Sequence, residues 1–402
     1  MIVLVDNAWH AFSIFAVFIS GIFLTIPTAK LFQVGQKKTL IIYFWHTAFC
    51  FVYLLYSLSN TADSTKYYEY SLISNDFNLG TGFVKFFTSL FSSYLGFSYV
   101  GVFLIFNIIG FVGLLAFYGS LNSIVRGMNR RVQWMAFLVI LLPSVSFWSS
   151  AIGKEPFSFL SISFALWASL DLRNRLGFMA FSIVAMLLVR PHMAGILLIA
   201  LSVAMLFDKN VKFAGKAALL ALTLVAAYMI VPLAIKYAGL NELGQMAQYI
   251  EERQGYNQSG GSSLDISSMS LPMQLFTYAF RPLPYEAHSV TALFSSLDNF
   301  YLLFVFSLAI YYSIKRKPCT SSANIAFLIT YLGISWVILA MMTSNLGIAV
   351  RQKWMFMPFL IFICFLYIGR QRYFAISEVD DGDDRIGFDA DQANIAHLEQ
   401  GK

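Results

Sequence analysis

The sequence predicts an all-α fold, a polytopic bundle of transmembrane helices, on three observations. Hydrophobic residues make up 58% of the chain and charged ones only 12%, with mean hydropathy +0.68, an apolar excess beyond what a soluble core uses. Apolar stretches of the roughly 20 residues that cross the hydrocarbon recur from Ala11 to Gly369, with short polar breaks between them. Basic residues gather in alternate loops.

The first stretch, centred on Ala11–Ala29, has no basic residues ahead of it and Lys30, Lys37 and Lys38 behind it. That is the reverse of a secretory signal, so it reads as a retained helix. The basic clusters Lys30/Lys37/Lys38, Arg126/Arg130/Arg131, Arg173/Arg175, Lys209/Lys212/Lys216, Lys315/Arg316/Lys317 and Arg370/Arg372 assign their loops to the cytoplasm. Two apolar runs, 132–171 and 176–207, are too long for one helix and are interrupted by Lys154-Glu155-Pro156 and Arg190-Pro191-His192. Both have cytoplasmic-type loops on either flank, so each folds as a hairpin with its turn at the outer surface. The arms of the second are short, which places Arg190 and His192 in a depression below that surface.

The expected spans are 9–29, 39–58, 97–118, 132–152, 156–171, 176–190, 192–207, 214–235, 291–313, 322–343 and 354–369. Their odd number, about eleven, puts the amino terminus outside and the carboxyl terminus in the cytoplasm. Residues 1–376 form one membrane domain with a large outer loop at about 237–289, and 83–95 read as an amphipathic helix in the outer interface. Residues 377–402 carry a run of acids and read as a disordered cytoplasmic tail. Cys50 and Cys364 fall inside spans and Cys319 beside a basic cluster, so neither a disulfide framework nor a zinc site follows.

The unusual residues lie on the outer face. NTADSTKYYEY places Asp63 just beyond the second span and follows it with Tyr67 and Tyr68. A carboxylate beside sugar-stacking rings can serve as a general base on an acceptor hydroxyl; it can equally cap a short helix. FWSSAIGKEP presents Lys154 and Glu155 at a hairpin tip, either as ligands or as an exposed ion pair. Arg190 lies between two short apolar arms and needs a partner, which is a phosphate or a bridge to Glu155 or Glu286. FRPLPYEAH holds Arg281, Glu286 and His288 in a proline-stiffened segment, and SNLGIAVRQKWM brings Arg351 and Lys353 to the last span. Arginine forks match phosphate oxygens, so several together suit a polyprenyl diphosphate whose tail lies among the helices. The absence of a Walker loop, a GxGxxG motif and HExxH leaves ATP-driven transport and zinc proteolysis without support.

The segments LPSVSFWSSAIGKEPFSF, LLVRPHMAG, FRPLPYEAH and NLGIAVRQKWMFMP resemble parts of bacterial membrane proteins of surface-polysaccharide clusters. These are Wzy-type oligosaccharide repeat-unit polymerases and the multi-span GT-C glycosyltransferases. The chain differs from typical GT-C enzymes in having no large soluble carboxyl-terminal domain and from many polymerases in its modest outer loop. The resemblance implies an enzyme of the bacterial inner membrane that transfers or polymerises saccharide units from a polyprenyl-linked donor onto a glycan acceptor. It implies Asp63 or Glu286 as base, with His288 orienting a neighbour. Arg190, Arg281, Arg351 and Lys154 would hold the diphosphate, with Glu155, His192, Lys353, Tyr67 and Tyr68 lining the site. No cofactor, metal or nucleic acid is expected. The expected partners are donor, acceptor, membrane lipids and other polysaccharide-assembly proteins. A single-sugar GT-C transferase, a lipid-linked oligosaccharide flippase and a membrane scaffold are the alternatives.

Overall fold

The structure, a computed structural model, describes residues 2, 4–60, 62–207, 212–218, 220–221, 223–225, 228, 269–287, 289–315, 317–319, 321–343 and 345–369. Among these the chain is helical throughout, with no strand. The acidic tail and most of the predicted outer loop and of span 214–235 lie outside the described residues. So does His288.

Helices α1 (Ala8–Leu31) and α2 (Gln36–Ser59) form the first hairpin. Asn7 caps α1, its side chain accepting from the His10 amide at 2.8 Å. Two short helices follow, α3 (Asp63–Ser71) and α4 (Thr81–Ser89), the latter running into a π-turn, Leu90–Tyr94. This is the segment predicted to be amphipathic. Ser98 then caps the 27-residue α5 (Tyr99–Val125). Run 132–171 first divides at Leu141–Leu142, which the sequence pattern does not predict, into α6 (Arg130–Ile140) and α7 (Pro143–Ser149), and the predicted break, a five-residue turn, then leads to α8 (Glu155–Ser169). Run 176–207 divides at Arg190 into α9 (Leu176–Val189) and α10 (Pro191–Phe207), because Pro191 cannot donate to the turn before it. The remaining helices are α11 (Leu271–Phe280), α12 (Val290–Lys315), α13 (Ile325–Met342), α14 (Leu346–Gln352) and α15 (Met357–Ile368).

Among the described residues six stretches are long and apolar enough to cross a membrane: α1, α2, α5, the combined Arg130–Ser149, α12 and α13. A seventh arises if the pair Leu346–Met355 and Met357–Ile368, bent by 64°, is one span. The protein is therefore a polytopic membrane protein. Its apolar helices α9 and α10, at 14 and 17 residues, fall short of a full crossing.

Helix α5 is the centre of the bundle and is buried along most of its length. Small residues let its neighbours approach closely, as in other membrane bundles. The backbones of Ser149 and Leu160 lie against Gly110 and Gly113. Polar side chains add cross-links in the core. His46 on α2 meets Asn107 Oδ1 at 2.6 Å through Nδ1 and Ser149 Oγ at 3.0 Å through Nε2, and Asn107 donates to Thr47 at 2.9 Å. These bonds tie α2, α5 and α7 together, and α7 carries one wall of the pocket described next.

Candidate functional site

Four chain segments converge at one end of the bundle: the head of α3, the turn before α8, the α9–α10 break and α14. Each starts from a local break that leaves a charged side chain at a helix end. Asp63 is the first residue of α3; the cap position is Ala62, so Asp63 is not the cap acceptor. Glu155 opens α8 beside Pro156, where a carboxylate faces the positive helix end. Arg190 sits at the C-cap of α9, between α9 and α10, its amide donating to Met186 O. Asn345 caps α14 through the amides of Gly347 and Ile348, which sets the short helix that aims Arg351.

These four side chains form a continuous charge circuit. Arg190 Nη2 donates to Glu155 Oε1 at 3.0 Å, and Arg190 Nε to Ser158 Oγ at 3.3 Å. Arg351 Nε lies 3.3 Å from the same Glu155 oxygen, and its Nη1 donates to Asp63 Oδ2 at 3.0 Å. The side chains of Arg190 and Glu155 are 10% and 15% exposed, whereas Asp63 is 49% exposed, so the circuit runs from the interior to the surface. Burial alone would raise the Glu155 carboxyl, but the guanidinium groups of Arg351 and Arg190 reverse that and hold it below its ordinary value. Of the two partners the sequence offered for Arg190, the fold uses Glu155.

A small cavity of about 10 Å³, room for one water-sized group, lies against this circuit, lined by Glu155, Arg190, Arg351, Trp148, Ser149 and Trp354 among others. The Arg351 guanidinium carbon lies 5.8 Å from the Trp148 ring centre, and Trp148 packs edge-on against Tyr53 at 5.6 Å. Trp354 is 4% exposed and, among the described residues, its Nε1–H has no hydrogen-bond partner. A buried donor without an acceptor costs about 1–3 kcal/mol, so this one marks a place for an acceptor. Trp148, Trp354 and Ser158 were not singled out by the sequence, in which tryptophan at a membrane interface reads first as an anchor.

The other predicted residues are placed as follows. Tyr67 is near the circuit: burial, then the carboxylates of Asp63 and Glu155, push its phenol above the ordinary value, so it stays protonated. Tyr68 faces inward, its hydroxyl donating to Phe97 O at 3.0 Å. Lys154 lies beside Glu155 at the cap of α8, its carbonyl accepting from the Ser158 amide at 2.9 Å. His192 is partly buried in the first turn of α10.

Arg281 and Glu286 pair with each other within one loop. Arg281 Nε lies 2.8 and 3.1 Å from the two Glu286 oxygens, and Glu286 also accepts from the Leu283 amide at 2.8 Å. Glu286 therefore closes its own turn.

Lys353 is fully buried and donates to Asn299 Oδ1, away from the pocket. Asn299 in turn donates to Pro282 O at 3.0 Å, and its neighbour Asp298 accepts from the Ser144 amide at 2.6 Å. Arg351 and Lys353 stand two positions apart on the same helical segment, ahead of the bend, so Arg351 faces the pocket and Lys353 the bundle. Lys353→Met leaves Asn299 Oδ1 without a donor and Asp298 without a nearby cation, at an expected cost of about 2 kcal/mol. Thermal unfolding in detergent measures this, and adding Asp298→Asn should recover part of the loss.

Among the described residues no group of three His, Cys, Asp or Glu side chains is arranged to hold a metal ion. Neither a family model, nor a curated protein, nor a solved structure matches this chain.

Proposed function

We propose that the protein transfers saccharide units from a polyprenyl-diphosphate-linked donor onto a glycan acceptor, as an oligosaccharide repeat-unit polymerase. The observation that carries the reading is the convergence of Glu155, Arg190 and Arg351 on one pocket of an apolar bundle, with Asp63 paired to Arg351. Under the positive-inside reading this is the extracytoplasmic end of an eleven-span protein of the bacterial inner membrane, with its amino terminus outside. A lipid-borne diphosphate reaches such a site with its tail still among the helices.

The step requires no more than these groups supply. An acceptor hydroxyl attacks the anomeric carbon of the donor, the bond from that carbon to the phosphate oxygen breaks, and its electron pair leaves with the diphosphate. The proton of the hydroxyl passes to the Asp63 carboxylate. Arg351 and Arg190 stabilise the charge that grows on the leaving group, Glu155 orients both guanidinium groups, and Trp148 offers a face to a sugar ring. His288, Arg281 and Glu286 belong to the loop that would border the acceptor.

The test is mass spectrometry of polyprenyl-linked glycans, with the length profile of the surface polysaccharide, in cells with and without the protein. Accumulation of complete single repeat units with loss of long chains supports polymerisation. Units lacking one sugar point instead to a single-sugar transferase. An unchanged lipid-linked pool with normal chains refutes both and favours a transporter or a scaffold.

A further inference from the structure

The pocket's cations are already engaged. Two arginines and two carboxylates make a circuit with no net charge, and a diphosphate entering it would meet Asp63 and Glu155 as well as its intended partners. The two carboxylates are held differently. Glu155 is 15% exposed and lies within 3.3 Å of both guanidinium groups, whereas Asp63 is 49% exposed and touches only the outer nitrogen of Arg351. The contact that can yield is therefore Asp63–Arg351. Arg351 shares the lining of the pocket with Trp354, whose buried Nε1–H has no partner among the described residues.

We infer that the Asp63–Arg351 ion pair is an exchangeable latch. An anionic phosphate oxygen takes the place of Asp63 on Arg351 and accepts from Trp354 Nε1, and the exchange frees the Asp63 carboxylate. This rests on the reading above for the identity of the ligand and for the use made of the freed carboxylate. It assigns two things that reading leaves open: Trp354 as a ligand-binding donor, and an order in which the base is released only when the diphosphate is seated. Before binding, the Asp63 oxygen is occupied by the Arg351 N–H; after binding, it stands beside the acceptor free to take a proton. Glu155 stays in place through the exchange, keeping both guanidinium groups aimed.

The latch makes an unusual prediction: removing the proposed base should tighten ligand binding. The experiment is calorimetric titration of the full chain, in nanodiscs of zwitterionic lipid, with inorganic pyrophosphate and separately with farnesyl diphosphate. Asp63→Asn abolishes the competing charge at a half-exposed helix start, where the fold tolerates the change. It should bind roughly fivefold more tightly than the wild type, the factor that matches the strength of an exposed ion pair.

Trp354→Phe keeps the ring and deletes the donor, and should bind roughly fivefold more weakly, the factor for one lost hydrogen bond. A gain for Asp63→Asn with pyrophosphate identifies a site for the free anion. A gain with farnesyl diphosphate alone identifies one for a lipid headgroup; either supports the exchange. Equal or weaker binding by Asp63→Asn, no binding to either compound, or unchanged binding by Trp354→Phe overturns it. The glycan profile of the deletion strain decides the enzymatic reading separately, so binding that follows the latch with an unchanged profile would leave the site standing and remove the activity.

Discussion

Glu155→Gln should be the most damaging conservative substitution in the protein. The amide keeps the size of the side chain but removes the one carboxylate that both Arg190 and Arg351 contact, leaving Arg190, 10% exposed, without an anionic partner. Breaking a buried pair from one side costs about 3–5 kcal/mol, because the remaining charge stays desolvated. The partial exposure of Glu155 and the second anion on Arg351 bring the expected loss toward the lower end of that range. Thermal unfolding in detergent, followed by size-exclusion chromatography, reads it directly. Activity should fall further than folded protein does, since Arg351 would keep only its surface contact with Asp63. Adding Arg190→Met removes the stranded charge, so the double variant should regain part of the stability and none of the activity. If Glu155→Gln unfolds at the wild-type temperature, the circuit contributes nothing to the fold.

Gly110→Ala should be as severe for a different physical reason. A methyl group at this position of α5 would overlap the carbonyl oxygen of Ser149 and press on the His46 ring. The Ser149 obstruction is backbone, which no rotamer change can move aside. Helix α7 would have to shift, and with it the Ser149 and Trp148 wall of the pocket. Overpacking of this kind costs about 1–3 kcal/mol, and the loss of the His46–Ser149 bond adds about 1 kcal/mol. Gly177→Ala is the matched control. Nothing lies within 4 Å of a Cβ there, and the residue is in the first turn of α9, so stability should be unchanged or slightly improved. Equal unfolding temperatures for the two variants would contradict the packing described for α5.

Much of the helical framework was legible in the sequence, because hydropathy reports on the solvent that each segment meets. Pro191 and Pro156 mark real helix starts, and the charged interruptions beside them fall at turns. The count of spans was less legible. Pattern alone cannot separate a 20-residue crossing from the 14 residues of α9, since both are apolar throughout. The site was legible as a set of residues and not as a geometry. Arg351 and Asp63 are 288 positions apart, and no local rule pairs them. Arg190 had Glu155 and Glu286 as possible partners. The proline-rich loop decides the matter by folding Glu286 back onto Arg281, five residues away. Lys353 read as an outer-face cation beside Arg351. The two stand two positions apart on one helical segment, about 200° around its axis, so Arg351 meets Glu155 and Asp63 while Lys353 reaches Asn299.

The shortness of α9 bears on the lipid as much as on the protein. Fourteen residues rise only about 21 Å, some 9 Å less than a typical hydrocarbon core, and the helix carries Phe181 and Val184 exposed on its surface. Acyl chains bordering that face must compress or tilt to cover it, at fractions of a kcal/mol per Å of mismatch. A helix this short favours a thinner bilayer beside it, and Arg190 stands at its end. On the proposed reading, a prenyl carrier entering such a thinned zone would meet the site without lifting its headgroup out of the bilayer.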